Sequence, residues 1–329
     1  MGSNLKDSNS LKTLIIDSYQ YFKKNIKNIV KLESNEELKD YSFMSSWGAY
    51  STTGSNVSYS SYEQLQSNIV LGSRFIHLNL YFNDKREPTV NGKIEQSTDN
   101  PTGLSFEKCC KIIRAYGFEN ENLASYPMFL YLDLMYDNFH IDVSNQIANS
   151  IKHNFGDIYP DTKYSYAKKN LAKEKIDNFK GKIIIVINHG EEEKPRDDGY
   201  ALRELTHSYV KIYKYLPQKN DDSNSIIALQ PNDVKHSYNA QDFNFKDTND
   251  LDRLIILLPQ DNNGIYNRFS ELYNFEILQF AKYKIHFIPF KFLPITNNDM
   301  PNSAYIKPLL MKYLLSYNSN HYTPVKLFN

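Results

Sequence analysis

Residues 74–82 read RFIHLNLYF and residues 128–134 read MFLYLDL. Successive side chains of a strand point to opposite faces, so each stretch divides into two sets. In the first, Ile76, Leu78 and Leu80 are uniformly aliphatic, while Phe75, His77, Asn79 and Tyr81 mix aromatic and polar groups. In the second, Met128, Leu130, Leu132 and Leu134 oppose Phe129, Tyr131 and Asp133. An open parallel sheet covered by helices on both sides makes both faces apolar. A closed barrel instead turns one face inward, and that face becomes polar near the end that carries a site.

The flanking sequence extends this pattern. Strand-like runs are expected at 43–47, 74–82, 88–90, 128–134, 182–188, 226–229, 254–259 and 284–290, eight in all. Helical spacing is expected at 62–71, 106–116, 143–154 and 201–215, with Phe106, Cys109, Cys110 and Ile113 on one face of the second. Alternating strands and helices imply a parallel sheet, and eight strands favour a distorted TIM-type α/β barrel. Before it, Leu11, Ile15, Tyr19, Phe22, Ile26 and Ile29 form the apolar stripe of an amphipathic helix opposite Lys23, Lys24 and Lys27. The expected organisation is an N-terminal helical extension (1–40), a first half-barrel (41–216), a polar linker PQKNDDSNS (217–225) and a second half-barrel (226–329).

Composition narrows the classes. The chain has 329 residues, with 38 basic residues against 38 acidic ones, so no global field draws it to nucleic acid. Hydrophobic residues at 41% are ordinary for a globular domain. No run reaches the ~18 apolar residues of a membrane span, and the N-terminus MGSNLKD is not a signal peptide. Gly2 invites a myristoylation reading, but Lys6 stands where the pattern wants Ser or Thr. The two cysteines, Cys109 and Cys110, are adjacent and on a buried stripe, which fits an apolar pair in a reducing compartment. An intracellular (cytoplasmic) or virion location is the expectation.

The order of segments resembles the X region of phosphatidylinositol-specific phospholipase C. The likeness rests on LKDYSFMSSWGAY (38–50), GSRFIHLNLYFND (72–84), EPTVNG (87–92), YPMFLYLDL (126–134) and FKGKIIIVIN (179–188). LIILLP (254–259), residues 284–290 and AYIKP (304–308) more weakly resemble its Y region. The chain is similar to the diverged phospholipase-C-like proteins of large DNA viruses.

The resemblance implies a phosphodiesterase barrel in which a histidine base takes the inositol 2-hydroxyl proton. A second histidine stabilises the phosphorane, and a calcium ion on oxygen ligands neutralises charge. Carried over position by position, that machinery is degenerate. Trp47 stands for the first histidine, Gly48 for a calcium-binding asparagine, and Asn91 for the second histidine. His77 and Asn79 stand for a Glu and an Asp that ligate calcium, and only Asp133 keeps a carboxylate. Phosphate-binding lysines fall on Val186 and Asn188, and the Y-region Arg and Tyr on Ile256 and Leu258.

The expectation is therefore a catalytically inactive protein of this fold, without calcium, whose binding set is His77, Asn79, Asp133 and Lys93. Its partner is a phosphoinositide or membrane surface, or a protein. The alternative is a phosphoric diester hydrolase with a remodelled site, built on a His77 and Asp133 pair or a weak transition-metal site. A lone histidine inside a barrel is also simply a hydrogen-bonded filler. Trp47 is expected to close the mouth beside Tyr50 and Tyr81, with Asn79, Asn91 and Asp133 satisfying one another. His140, His153, His189, His207 and His286 show no ligand spacing, and Glu191 to Glu193 form a solvated acidic loop that would repel phosphate.

Overall fold

The computed structural model describes residues 36–41, 43–50, 60–70, 72–91, 103–119, 124–135, 141–188, 200–213, 224–231, 233–234, 252–258 and 285–290. The N-terminal amphipathic stretch, Lys93, His140, His189, Glu191 to Glu193, linker residues 217–223 and residues 304–308 lie outside that set.

Among the described residues, ten strands and four α-helices carry the fold. They are β1 (Phe43–Ser46), α1 (Tyr62–Val70), β2 (Phe75–Phe82), β3 (Pro88–Val90), β4 (Leu104–Ser105), α2 (Phe106–Phe118) and β5 (Met128–Leu134). Then follow α3 (Ile141–Phe155), β6 (Ile183–Asn188), α4 (Tyr200–Leu205), β7 (Ser208–Tyr213), β8 (Ile226–Leu229), β9 (Ile255–Leu257) and β10 (Phe287–Phe290). The parallel pairings run β2, β5, β6, β7, β8, β9, β10, β1. β1 also pairs with β2 through Ser45 and Ser46 against Phe75 and Ile76, so eight parallel strands form a ring. β3 and β4 lie outside it as an antiparallel flap on the end of β2.

Two cores sit on opposite sides of the sheet. The outer one joins Ile76, Leu78, Leu80, Leu130, Leu132 and Ile185 to the helix residues Leu65, Ile69, Cys110, Ile113, Ile147 and Ile151. The inner one contains Phe43, Phe75, Phe129, Tyr131, Val186, Val210, Ala228, Ile256 and Phe287. The division expected for β2 and β5 therefore separates lumen from helix layer. Cys109 and Cys110 are buried free thiols on α2, and burial pushes the Cys109 thiol up to about 12. Val186 and Ile256, which stand for cationic positions, line the lumen instead, with Leu258 packed beside them. No helix among the described residues is long and apolar enough to cross a membrane.

Two expectations are corrected. The helix expected over 201–215 ends at Leu205, where the Thr206 hydroxyl donates to the Leu202 carbonyl, and residues 208–213 become β7. Leu202, Leu205, Tyr209 and Ile212 satisfy helical spacing, yet Val210 and Ile212 alternate onto the inner core. Pairing with both β6 and β8 outweighs the helical reading. Conversely, 88–90 is a strand but antiparallel, so β7 and not β3 completes the eight.

The N-terminal ends of the strands are closed by residues 36–41. Leu38 and Tyr41 enter the inner core. The Leu38 amide donates to Glu174 O, and Lys39 bridges Glu37 and Asp252. At the start of α2, Ser105 Oγ accepts the Lys108 amide, satisfying an otherwise orphaned N–H. Ser105→Ala is expected to lower stability by about 1 kcal/mol in urea unfolding. An unchanged midpoint would show that the cap contributes nothing.

Candidate functional site

Register places the site. Along β2, β5 and β6, His77, Tyr131 and Val186 are mutual neighbours, and one step further on so are Asn79, Asp133 and Asn188. Phe75, Phe129 and Ile184, two residues earlier, point into the lumen. Both rows therefore face inward, at the C-terminal end where barrels of this kind carry their chemistry. On the far side Val210, Ile212 and Leu258 make the wall apolar.

β1 ends in a turn that brings Trp47 and Gly48 over this row. Gly48 takes φ 57°, a left-handed conformation that glycine adopts without penalty. Its N–H donates to His77 Nδ1 at 3.1 Å. With Nδ1 accepting, the ring proton of neutral His77 sits on Nε2. The Trp47 indole lies flat on the imidazole, with ring centroids 3.7 Å apart and planes 10° from parallel. Tyr131 meets both rings at a tilt.

Asp133 is the carboxylate of the group. Its Oδ2 lies 3.7 Å from His77 Nε2, and its Oδ1 accepts Asn188 Nδ2 at 3.2 Å. The Tyr50 hydroxyl donates to the Asn91 carbonyl at 2.6 Å and receives a hydrogen bond from the Asn79 side chain. Ser60 Oγ donates to Asn91 Oδ1 at 3.1 Å. Burial holds the Tyr50, Tyr81 and Tyr131 hydroxyls above the usual phenol range, and the Asp133 charge adds to all three.

Trp47, His77 and Asp133 thus come together, with Gly48, Asn79 and Asn91 around them. The Trp47 ring expected at the mouth stacks on His77. The expected mutual satisfaction of Asn79, Asn91 and Asp133 is corrected. Asn79 turns to Tyr50, Asn91 to Ser60, and Asp133 to Asn188 and His77. The reason is β3: the Asn91 amide bonds the Asn79 carbonyl, which sets the two backbones side by side while their side chains diverge. Ser60 and Asn68, whose side chain donates to Ala49 O, are supports that sequence reasoning missed. Nothing in their spacing marks them.

Among the described residues the donor set does not fit calcium. That ion takes about 6–8 oxygen ligands. Here one carboxylate is engaged by Asn188, the imidazole nitrogens face Gly48 and Asp133, and Asn79 is committed to Tyr50. Among the described residues no group of three or more His, Cys, Asp or Glu converges.

Residues 34–189 match the family model described as phosphatidylinositol-specific phospholipase C, X domain. No curated protein matches the sequence significantly. Among solved structures the chain is similar to L. pealei PLC21, with 13% identity and a TM-score of 0.60 over 79% of this chain. It spans only 34% of that protein. S. officinalis PLC21 aligns comparably, at 13% identity, TM-score 0.58, 79% of this chain and 34% of that one. A calcium-dependent phosphoinositol-specific phospholipase C from Pseudomonas sp. aligns at 11% identity with a TM-score of 0.52, over 80% of this chain and 94% of its own. Identities this low speak for the fold, and the fold they share with the strand ring described above is the barrel of the phospholipase-C-like phosphodiesterases.

Proposed function

We propose that the chain keeps this barrel as a binding module and does not catalyse calcium-dependent phosphodiester cleavage. One observation carries the reading: the imidazole at the mouth turns both ring nitrogens to the protein's own groups. A general base needs a nitrogen facing the proton that it removes. His77 accepts from a backbone amide at Nδ1, turns Nε2 to Asp133, and has the Trp47 indole lying on its face. The expected base and acid positions hold Trp47 and Asn91, neither of which exchanges a proton near neutral pH.

The test is inositol phosphate release from phosphatidylinositol vesicles with added calcium. The expected rate equals that of the Trp47→Ala, His77→Ala, Asp133→Ala triple variant. Release clearly above that variant would overturn the reading in favour of a hydrolase with a remodelled site. Liposome co-sedimentation with and without phosphoinositides tests a lipid partner. The likeness to viral proteins adds a virion-associated role, which mass spectrometry of purified particles tests.

A further inference from the structure

We infer that the cleft beneath the β3–β4 flap, on the outside of the barrel, binds a neutral hexose through its hydroxyls. The site is separate from the mouth, so its test is independent of the binding-module reading.

A cleft of about 520 Å³ opens between the flap, the first turn of α2 and the middle of α3, within the ~300–1,000 Å³ of small-molecule sites. Every residue that lines it is among those described, and none belongs to the mouth. Its walls are fixed by the protein's own bonds, which spares a ligand the cost of ordering them. Asn83 Oδ1 accepts the Lys85 and Glu87 amides, and Asn83 Nδ2 donates to Glu87 Oε2. From α3, Gln146 Nε2 donates to the Arg86 carbonyl at 3.1 Å, which ties the flap tip to the helix. On the other side the Ser105 amide donates to the Tyr62 hydroxyl at 2.9 Å and holds β4 against α1.

Those same bonds leave donors and acceptors side by side in the cleft. Tyr62 and Ser105 each accept an amide proton at the hydroxyl oxygen, so each has its own O–H to donate. Gln146, donating through Nε2, keeps Oε1 as an acceptor. Glu87 and Glu107 have one oxygen engaged, by Asn83 and Lys111 respectively, and one remaining. Asn149, exposed on α3, adds an amide that both donates and accepts. A sugar hydroxyl also does both, so a ring of hydroxyls answers an interleaved set of this kind. Other ligand classes fit worse. The two carboxylates repel phosphate, and an apolar ligand would leave the polar lining unpaired. A hard cation finds Glu107 already paired by Lys111, and among the described residues no group of three or more His, Cys, Asp or Glu surrounds it.

Saturation-transfer NMR on the full chain with D-glucose, D-galactose and D-mannose in turn tests the site. At least one sugar is expected to give a saturable signal that survives added sodium chloride, because a neutral ligand offers no charge for salt to screen. Asn149→Ala should weaken that binding roughly fivefold, the loss of about one hydrogen bond, and Asn149→Trp, which fills the cleft, should abolish it. Both lie at an exposed helix position, and urea midpoints near that of the native chain show that they fold. Glu107→Ala, on the facing wall and half exposed, is a second probe and should weaken binding about tenfold. Trp47, the chain's only tryptophan, sits at the mouth, so in the native chain its emission should stay constant through the titration. No saturable signal from any of the three sugars, full affinity in Asn149→Trp or Glu107→Ala, a Trp47 response that tracks saturation, or equal binding of inorganic phosphate would each overturn the inference. Maltose and lactose separate the sources: tighter binding than of the monosaccharide assigns the hexose to a glycan chain, and equal or weaker binding assigns it to a free sugar.

Discussion

Replacing Phe129 by alanine is expected to lower the free energy of unfolding by about 3–5 kcal/mol, the range for truncating a large aromatic in a packed core. Phe129 is fully buried on β5 and reaches across the lumen. Its ring meets Phe43 of β1 at 5.1 Å and Phe287 of β10 at 4.8 Å, both edge to face. Phe75 touches Phe287 at 4.7 Å, and Phe43 stacks on Phe287 at 5.5 Å, so four phenylalanines from β1, β2, β5 and β10 fill the lower lumen. Each such pair contributes about 0.5–1.5 kcal/mol beyond area burial. Because the β strands hold the ring rigid, the lumen cannot collapse into the void, which puts the loss toward the upper end. Urea denaturation measures it, with Tyr116→Ala on α2, 37% exposed, as the control expected to change little. A loss under about 1 kcal/mol for Phe129→Ala would mean that the lumen is loosely packed.

The inward placement of Phe75 and Phe129 was legible in the sequence for a simple reason. β2 and β5 have chemically different faces, so the period of two announces both strand and orientation, and the boundaries expected for β5, β8 and 88–90 match those observed. β7 was not legible. Its inward Val210 and Ile212 continue a run in which Leu202, Leu205 and Tyr209 also fit a helix, and only pairing with β6 and β8 decides. Local pattern likewise says nothing of strand direction, which is why 88–90 was counted in the ring although it runs antiparallel to β2. β4, two residues long, is too short to show a period.

Site positions followed the same logic. Parity places His77, Asn79 and Asp133 on the inward face, and the registers of β2, β5 and β6 bring them level. Their hydrogen-bond partners did not follow. The stack of Trp47 on His77 depends on a left-handed Gly48 in the turn after β1, and the ties of Asn91 to Ser60 and of Ala49 to Asn68 join segments far apart in sequence. Polar contacts of that kind leave no periodic trace.

Acid is expected to destabilise the fold through His207 before the carboxylates titrate. His207 precedes β7, is fully buried, and accepts the Ile185 amide of β6 at Nδ1, 2.9 Å away. Its ring thereby extends the ladder between two barrel strands at their N-terminal ends. Burial pushes its pKa down to about 3, against about 6.5 in the unfolded chain. The folded state therefore favours the neutral ring. This contribution is fully present above pH 6.5 and is lost progressively as pH falls from 6.5 toward 3, because the unfolded chain binds the proton first. At about 1.4 kcal/mol per pH unit, the gap between those two values corresponds to a loss on the order of 5 kcal/mol. Protonation would also set a second N–H against the Ile185 amide, so the barrel must open there to accept it. Urea midpoints measured between pH 7 and 4 should fall steeply in the native chain. In His207→Gln, which offers an amide oxygen to Ile185 and cannot titrate, the fall over the same interval should be clearly shallower. Parallel pH profiles for the two proteins would show that some other group governs acid unfolding.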